Sequence, residues 1–182
     1  GLFVMFVTGS GSVRRNRLSD FTNVMVNGKI AMKLDPGDRL VQVSTCEESD
    51  DILLSSKNGK CIRFPVSAVR IFVGRTSTGV RGIKLKKNDE VISLSVLRHV
   101  KAKTEEREEF LHAVNASRRL KGSEYEGRSE DFERDKKLAS RLLETKFANM
   151  AKEEELILTI TEDGFGKRAS AYQYRIAGRG GQ

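Results

Sequence analysis

At 182 residues, with 33 Lys and Arg against 25 Asp and Glu for a formal net charge of +8, the chain is large enough for one ordinary core and has a clear basic excess. Its longest apolar run, Leu2 to Val7, is far too short to cross a bilayer, and its only cysteines, Cys46 and Cys61, stand in unrelated surroundings that suit neither a zinc site nor a disulfide framework. A polyanion in a reduced, cytoplasmic setting is the natural partner, and a chain that starts at Gly1 without Met or a basic leader is expected to be a piece of something longer.

In chain order, Phe3 to Val7 reads as a short buried strand, Gly9-Ser10-Gly11 as a tight turn, and Val13 to Leu18 as a basic return strand. A Ser19-Asp20 bend and a glycine-marked loop lead to a third strand at Ile30 to Leu34 and a fourth at Leu40 to Ser44. The same series then repeats. Ile52 to Leu54, the turn Lys57-Asn58-Gly59, a basic return, a bend at Ser67, Ile83 to Leu85 and Val91 to Val96 occupy matching places, and Leu156 to Ile160 with Glu162-Asp163-Gly164 opens a third copy. The turn glycines Gly11, Gly59 and Gly164 each precede an arginine by four residues, at Arg15, Arg63 and Arg168. Gly28 to Leu34 matches Gly79 to Leu85, and Asp38 and Asp89 follow at the same interval. Four short strands in a unit of roughly 50 residues is the signature of a propeller-type blade.

Between the second and third copies, 101–153 is dense in Glu, Lys and Arg, lacks proline and carries helical periodicity. Phe110, Leu111 and Val114 form one stripe, closed by Gly122; Leu138, Leu142, Leu143, Phe147 and Met150 form a longer one, with Ser129 as N-cap and Glu130–Arg134 and Glu133–Lys137 as supporting pairs. The expectation is an all-β chain with a helical insertion, a partial propeller-like fold of four-stranded blades: two blades in 1–100, a charged helical hairpin in 101–153, and the start of a further blade in 154–182. A short Gly/Ser linker in place of the insertion is expected to leave the blades folded.

Charge follows the same division. The first 100 residues hold 16 Lys and Arg against 9 Asp and Glu, whereas 101–153 hold 13 against 12 and 154–182 hold 4 against 4. Basic residues recur at fixed blade positions: Arg14, Arg15, Arg17, Lys29 and Lys33 in the first copy; Lys60, Arg63, Arg75, Arg81 and Lys84 in the second; Lys167, Arg168, Arg175 and Arg179 in the third. A curved strip of such charges neutralises phosphates without reading bases. Glycines at Gly28, Gly79, Gly82, Gly178, Gly180 and Gly181 would let the backbone approach phosphates closely. Other features carry no chemistry: His99 and His112 read as surface residues, Glu47-Glu48 and Asp50-Asp51 as turn acids, and there is no Walker-type loop, metal cluster or catalytic constellation.

The strings Gly11-Ser12-Val13-Arg14-Arg15-x-x-Leu18-Ser19-Asp20-Phe21, Asn27-Gly28-Lys29-Ile30-Ala31-Met32-Lys33-Leu34, Thr78-Gly79-Val80-Arg81-Gly82-Ile83-Lys84-Leu85 and Gly164-Phe165-Gly166-Lys167-Arg168 occur in an order and spacing that resemble the C-terminal domain of the DNA gyrase A protein. The resemblance implies a β-pinwheel whose basic rim wraps duplex DNA so that an ATP-hydrolysing type II topoisomerase introduces negative supercoils. It implies partners in the rest of the gyrase A protein and in the gyrase B protein, joined as an A2B2 assembly on the nucleoid, with ATP and Mg2+ bound elsewhere and no cofactor here. The glycine-rich box of that family is absent from the first copy, and Gly178 to Gln182 is only similar to it. The equivalent domain of topoisomerase IV and a propeller-like protein-interaction scaffold are the alternatives.

Overall fold

In the computed structural model of the chain, which describes residues 1–23, 25–122 and 128–181, each of the three glycine turns closes an antiparallel hairpin. The amides of Gly11, Gly59 and Gly164 donate to the carbonyls of Thr8, Ser56 and Thr161, all at 3.0 Å, and all three glycines have positive φ, which a side chain would strain. The strands are β1 (Phe3–Thr8) with β2 (Ser12–Arg17), β4 (Asp50–Ser56) with β5 (Cys61–Pro65), and β8 (Leu156–Ile160) with β9 (Gly166–Ser170). Two further strands, β3 (Leu40–Cys46) and β7 (Val91–Arg98), pair with β1 and β4 in turn, so the apolar strand of each complete repeat lies inside its sheet.

The expected third strands are corrected. Neither 30–34 nor 83–85 is a strand; a two-residue strand, β6 (Val80–Arg81), forms instead and pairs with β2 of the preceding repeat. The first sheet therefore has the order β3-β1-β2-β6, and the second has β5-β4-β7. The same reach-back is seen in two parallel bridges, Arg15 with Ile71 and Arg63 with Ile176. Ile30 had no strand to pair with and is 73 % exposed, whereas Ile83 is 1 % exposed in the core.

The chain divides into two compact units, Gly1–His99 with Tyr174–Gln182, and Val100–Gln173. In the first unit, Met5, Val7 and Val13 of the first sheet pack with Ile52, Leu54, Phe64 and Leu94 of the second, all nearly or fully buried. Removing that apolar area from water is the main source of stability here, at about 1.5–3 kcal/mol per large side chain.

The second unit holds the helices and the third hairpin together, so the expected boundary near residue 154 is not where contacts divide. Its helices are α1 (Thr104–Leu120), α2 (Ser129–Ser140) and α3 (Thr145–Glu153), not a hairpin of two: the longer predicted stripe is broken by a 3-10 turn at Arg141–Leu143. Leu143 of that stripe is 87 % exposed, and Arg134 pairs with Asp131 at 3.0 Å in place of Glu130. Arg128, not Ser129, is the residue before α2. Phe110, Phe147, Met150 and Tyr172 form the core of this unit, with the Tyr172 hydroxyl donating to the Met150 carbonyl at 2.8 Å.

Candidate nucleic-acid interface

Three of the basic residues expected on the surface are inside. Arg14 is fully buried: its Nε donates to Asn16 Oδ1 at 2.8 Å and its Nη1 to the Ser77 carbonyl and hydroxyl. Burial, and then the neighbouring Arg70 charge, lower its pKa from the ordinary arginine value. Arg63 is fully buried against Asp51, Nε to Oδ2 at 2.8 Å, and also donates to the Arg98 carbonyl at 2.9 Å. Arg15 stands over the Phe3 ring at 4.6 Å and reaches Glu48 at 3.3 Å. These residues clamp strands together and cannot meet a phosphate from outside, which is the correction to their sequence-based assignment.

Asp51 is likewise not a turn acid. It lies in β4 with a fully buried side chain, accepting from Arg63 on one oxygen and standing 2.8 Å from His99 Nδ1 on the other. The carboxylate offsets the cost of burying the Arg63 guanidinium, which unpaired would be several kcal/mol.

Two more arginines act as staples between repeats. The Arg75 guanidinium stands 5.8 Å from the Phe21 ring, and Arg179 donates through Nε to the Ala68 carbonyl at 3.2 Å and through Nη1 to the Arg81 carbonyl. Phe21 and Ala68 belong to the short 3-10 turns that follow β2 and β5, so each arginine reaches the turn of the repeat before its own.

Several exposed basic residues gather at one edge of the first unit. Lys60, beside the β4–β5 turn, donates its Nζ to the Lys84 carbonyl, and Arg179 holds the Arg81 carbonyl of the same loop. Lys57 joins that edge through its amide bond to the Glu90 carbonyl, and Lys86 and Lys87 occupy the adjoining turn, where the Asp89 amide donates to the Lys86 carbonyl. Lys57, Lys60, Arg81, Lys84, Lys86 and Lys87 are all exposed. Lys57, Lys86 and Lys87 escaped the repeat comparison because the first copy has Gly9, Asp35 and Pro36 at the corresponding places. Hydrogen bonds from the Lys60 and Arg179 side chains to backbone carbonyls fix the loop, and the lysines around it give the edge a net positive charge.

Two acids, Asp89 and Glu90, lie within this edge. Burial alone would raise the Asp89 pKa, but bonds from Ser56, Asn58 and Glu90 and the nearby Lys60 charge hold it below the usual carboxylate value. Glu90 pairs with Arg39 at 3.0 Å. A hollow lined by Asp35, Asp38, Asp89 and Glu90 is acidic and would repel phosphate.

Of the other sequence candidates, Arg17, Lys29, Lys33 and Arg175 are exposed in the first unit but are not joined to this edge by any hydrogen bond among the described residues. Lys167 and Arg168 are exposed on β9 in the second unit. Gly79 and Gly82 do not open the backbone to phosphate, because both are packed on Val13, and Gln182 of the glycine-rich string lies outside the described residues. No group of His, Cys, Asp and Glu among the described residues could hold a metal, and no described helix is long and apolar enough to cross a membrane.

The sequence profile described as the DNA gyrase C-terminal domain, a β-propeller, matches residues 3–47, 50–98 and 155–182, leaving out the helices. The DNA gyrase A protein of Granulibacter bethesdensis is 52 % identical over 189 residues, covering 100 % of this chain and 20 % of its own length. That of Rickettsia bellii is 46 % identical over 99 % of this chain, and that of Staphylococcus aureus 31 % identical over 99 %. The chain therefore spans about a fifth of the first of these relatives. Among solved structures, a DNA gyrase A C-terminal domain and a topoisomerase IV C-terminal domain each align with a TM-score of 0.63, at 19 % and 18 % identity, covering 99 % and 100 % of this chain and 41 % and 40 % of theirs.

Proposed function

Because the chain belongs to the DNA gyrase C-terminal domain family of β-propellers, we propose that it binds duplex DNA through phosphates along the basic edge of its first unit and bends the duplex there. The observation that supports this most directly is the convergence of Lys60, Lys84, Arg81 and Arg179 through two bonds to backbone carbonyls, with Lys57, Lys86 and Lys87 beside them. Neutralising several phosphates releases condensed counterions, which drives binding without base contacts. No described α-helix lies in the first unit to enter a major groove, and the reading rests on phosphate contacts, which carry no sequence information.

In this reading the chain is the wrapping part of a gyrase A protein, acting in the cytoplasm on the nucleoid with the rest of that protein and with the gyrase B protein in an A2B2 assembly. Bending 20–30 bp costs on the order of 1–6 kcal/mol, which several phosphate contacts offset. Strand cleavage, ATP and Mg2+ would belong to other parts of the holoenzyme. The named sequence relatives, all gyrase A proteins, favour gyrase over topoisomerase IV.

The test is a titration of a labelled duplex against the chain over a range of salt. Affinity should fall steeply with salt, with a log–log slope of about −0.9 per phosphate contact, and should be indifferent to sequence. Changing Lys60, Arg81, Lys84 and Lys86 together to Ala should flatten that slope by several such steps, and a wild-type affinity that ignores ionic strength would reject the reading.

A further inference from the structure

A second cationic locus lies on the first unit, away from any residue of the basic edge in the hydrogen-bond pattern. The guanidinium carbons of Arg70 and Arg14 both stand over the Phe72 ring, at 4.1 and 5.0 Å from its centroid. Arg70 is exposed, Arg14 is fully buried, and Arg14 Nη2 has no hydrogen-bond partner. Three other stacked or buried arginines have an acid, Arg15 with Glu48, Arg63 with Asp51, and Arg141 with Glu109 and Glu144, whereas Arg75 and Arg107 have none among the described residues. Arg14 and Arg70 have no carboxylate among the described residues. Two like charges sharing one ring without a counter-charge repel each other, and an anion at the exposed member relieves that repulsion.

The position of Arg70 is repeated. Ile71 bridges Arg15, and the Phe72 amide donates to the Arg15 carbonyl at 2.8 Å; Ile176 bridges Arg63, and the Ala177 amide donates to the Arg63 carbonyl at 2.8 Å. Arg70 and Arg175 each come one residue before these equivalent junctions, and both are exposed. They therefore stand one repeat apart on the same part of successive blades. In the first copy the corresponding residue is Thr22, which is uncharged.

We propose that Arg70 and Arg175 are successive phosphate contacts for the backbone of one DNA duplex, with Arg14 reinforcing Arg70 from behind Phe72. This rests on the DNA-binding reading above and assigns to it a second contact line. Arginine suits the position, since its planar fork both stacks on an aromatic ring and grips phosphate oxygens in pairs.

The experiment is the same duplex titration with Arg70→Gln, Arg175→Gln, the double variant and Arg70→Lys, together with thermal melts of each. Each single Gln variant should bind about fivefold to tenfold more weakly and lower the salt slope by about 0.9, with the double variant lowering it by about 1.8. Arg70→Lys should keep the slope, and Arg134→Gln on α2 should change nothing. Inorganic phosphate at matched ionic strength should compete no better than chloride, since the duplex backbone is the assigned source. An Arg70→Gln variant with wild-type slope overturns the assignment while leaving DNA binding in place, and so does one that binds weakly at an unchanged slope and melts earlier, because Arg70 would then only cap Phe72. A wild-type chain whose affinity is insensitive to salt overturns both.

Discussion

The amide of Gly82 donates to the carbonyl of Gly11 at 2.7 Å, and the Gly82 carbonyl accepts from the amide of Gly180 at 2.9 Å. The three glycines come from three successive repeats, so a line of backbone hydrogen bonds ties each repeat to the one before. A Cβ on Gly82 would stand 2.6 Å from Val13 Cγ1 and 3.0 Å from Leu54 Cδ1. A Cβ on Gly79 would fall on the Val13 carbonyl, at a backbone φ of +94° that side chains rarely adopt.

Gly82→Ala is accordingly expected to destabilise the chain by about 1–3 kcal/mol through overpacking, and Gly79→Ala by at least as much. Gly178→Ala, with open space around it and an ordinary φ, should stay within about 0.5 kcal/mol of wild type. Urea unfolding of the three variants checks the order; equal stability of all three would remove the packing argument.

Asp51→Ala should be far more damaging than any surface substitution. It leaves the buried Arg63 guanidinium without its carboxylate, at a cost of about 3–5 kcal/mol. Asp51→Asn, which keeps an acceptor but not the charge, should fall between. The slope of DNA affinity against salt should be unaltered in whatever fraction remains folded, because neither Asp51 nor Arg63 reaches the surface.

Stability should be lost in acid through a repeated pair of carboxylates. For Asp38, burial would raise the pKa, but bonds from Ser10, Thr8 and the Arg39 amide outweigh it, and the net shift is downward, as it is for Asp89. A folded pKa below the unfolded one means that the contribution is complete above the unfolded value, near pH 3.9, and disappears as pH falls through the folded values. Melting temperature should therefore hold from neutrality to about pH 5 and drop below about pH 4. The Asp38→Asn, Asp89→Asn double variant should melt earlier at pH 7 and show a shallower drop; a parallel curve would exclude these two groups.

The helices and the third hairpin should stand or fall together. Phe110 meets Phe147 edge-on at 5.9 Å and Tyr172 at 5.4 Å, so one small core is shared by α1, α3 and the turn after β9. Phe110→Ala is expected to cost about 3–5 kcal/mol in this unit. Replacing 101–153 by a Gly/Ser linker should abolish helical circular dichroism and also amide protection at 156–170, in contrast to the simpler expectation that the hairpin is indifferent to the insertion. Retained protection there would show that β8 and β9 need no helix.

The hairpins, their turn glycines and the helical character of the charged segment were legible because each is a local pattern: apolar runs, a glycine at fixed offset, a stripe at helical spacing. The reach of Val80 and Arg81 back to β2 was not, since two residues carry no periodicity and their partner lies a repeat away. Recurrence of arginine was read as a surface strip, yet Arg15 and Arg63, at matching positions, are both internal clamps, as is Arg14 beside Arg15, while their third counterpart, Arg168, is exposed. Repetition marks a shared role without saying which side of the sheet it is on. Exposure separated the two groups, leaving Lys60, Arg81 and Lys84 at the edge and revealing Lys57, Lys86 and Lys87 beside them.

The borrowed strand β6 also dictates where this chain tolerates added sequence. The stretch from Ile71 to Val91 makes the bridge to Arg15, the pairing to β2 and the entry to β7, so extra residues there would pull a strand out of a neighbour's sheet. The joint between β7 and β8 has no such duty, and that is where the helices are spliced in. One repeat earlier the same joint is only Glu47-Glu48-Ser49, an exposed turn between β3 and β4. A tag, a fluorophore-bearing loop or a second helical cassette grafted there would have to keep the Glu48–Arg15 pair.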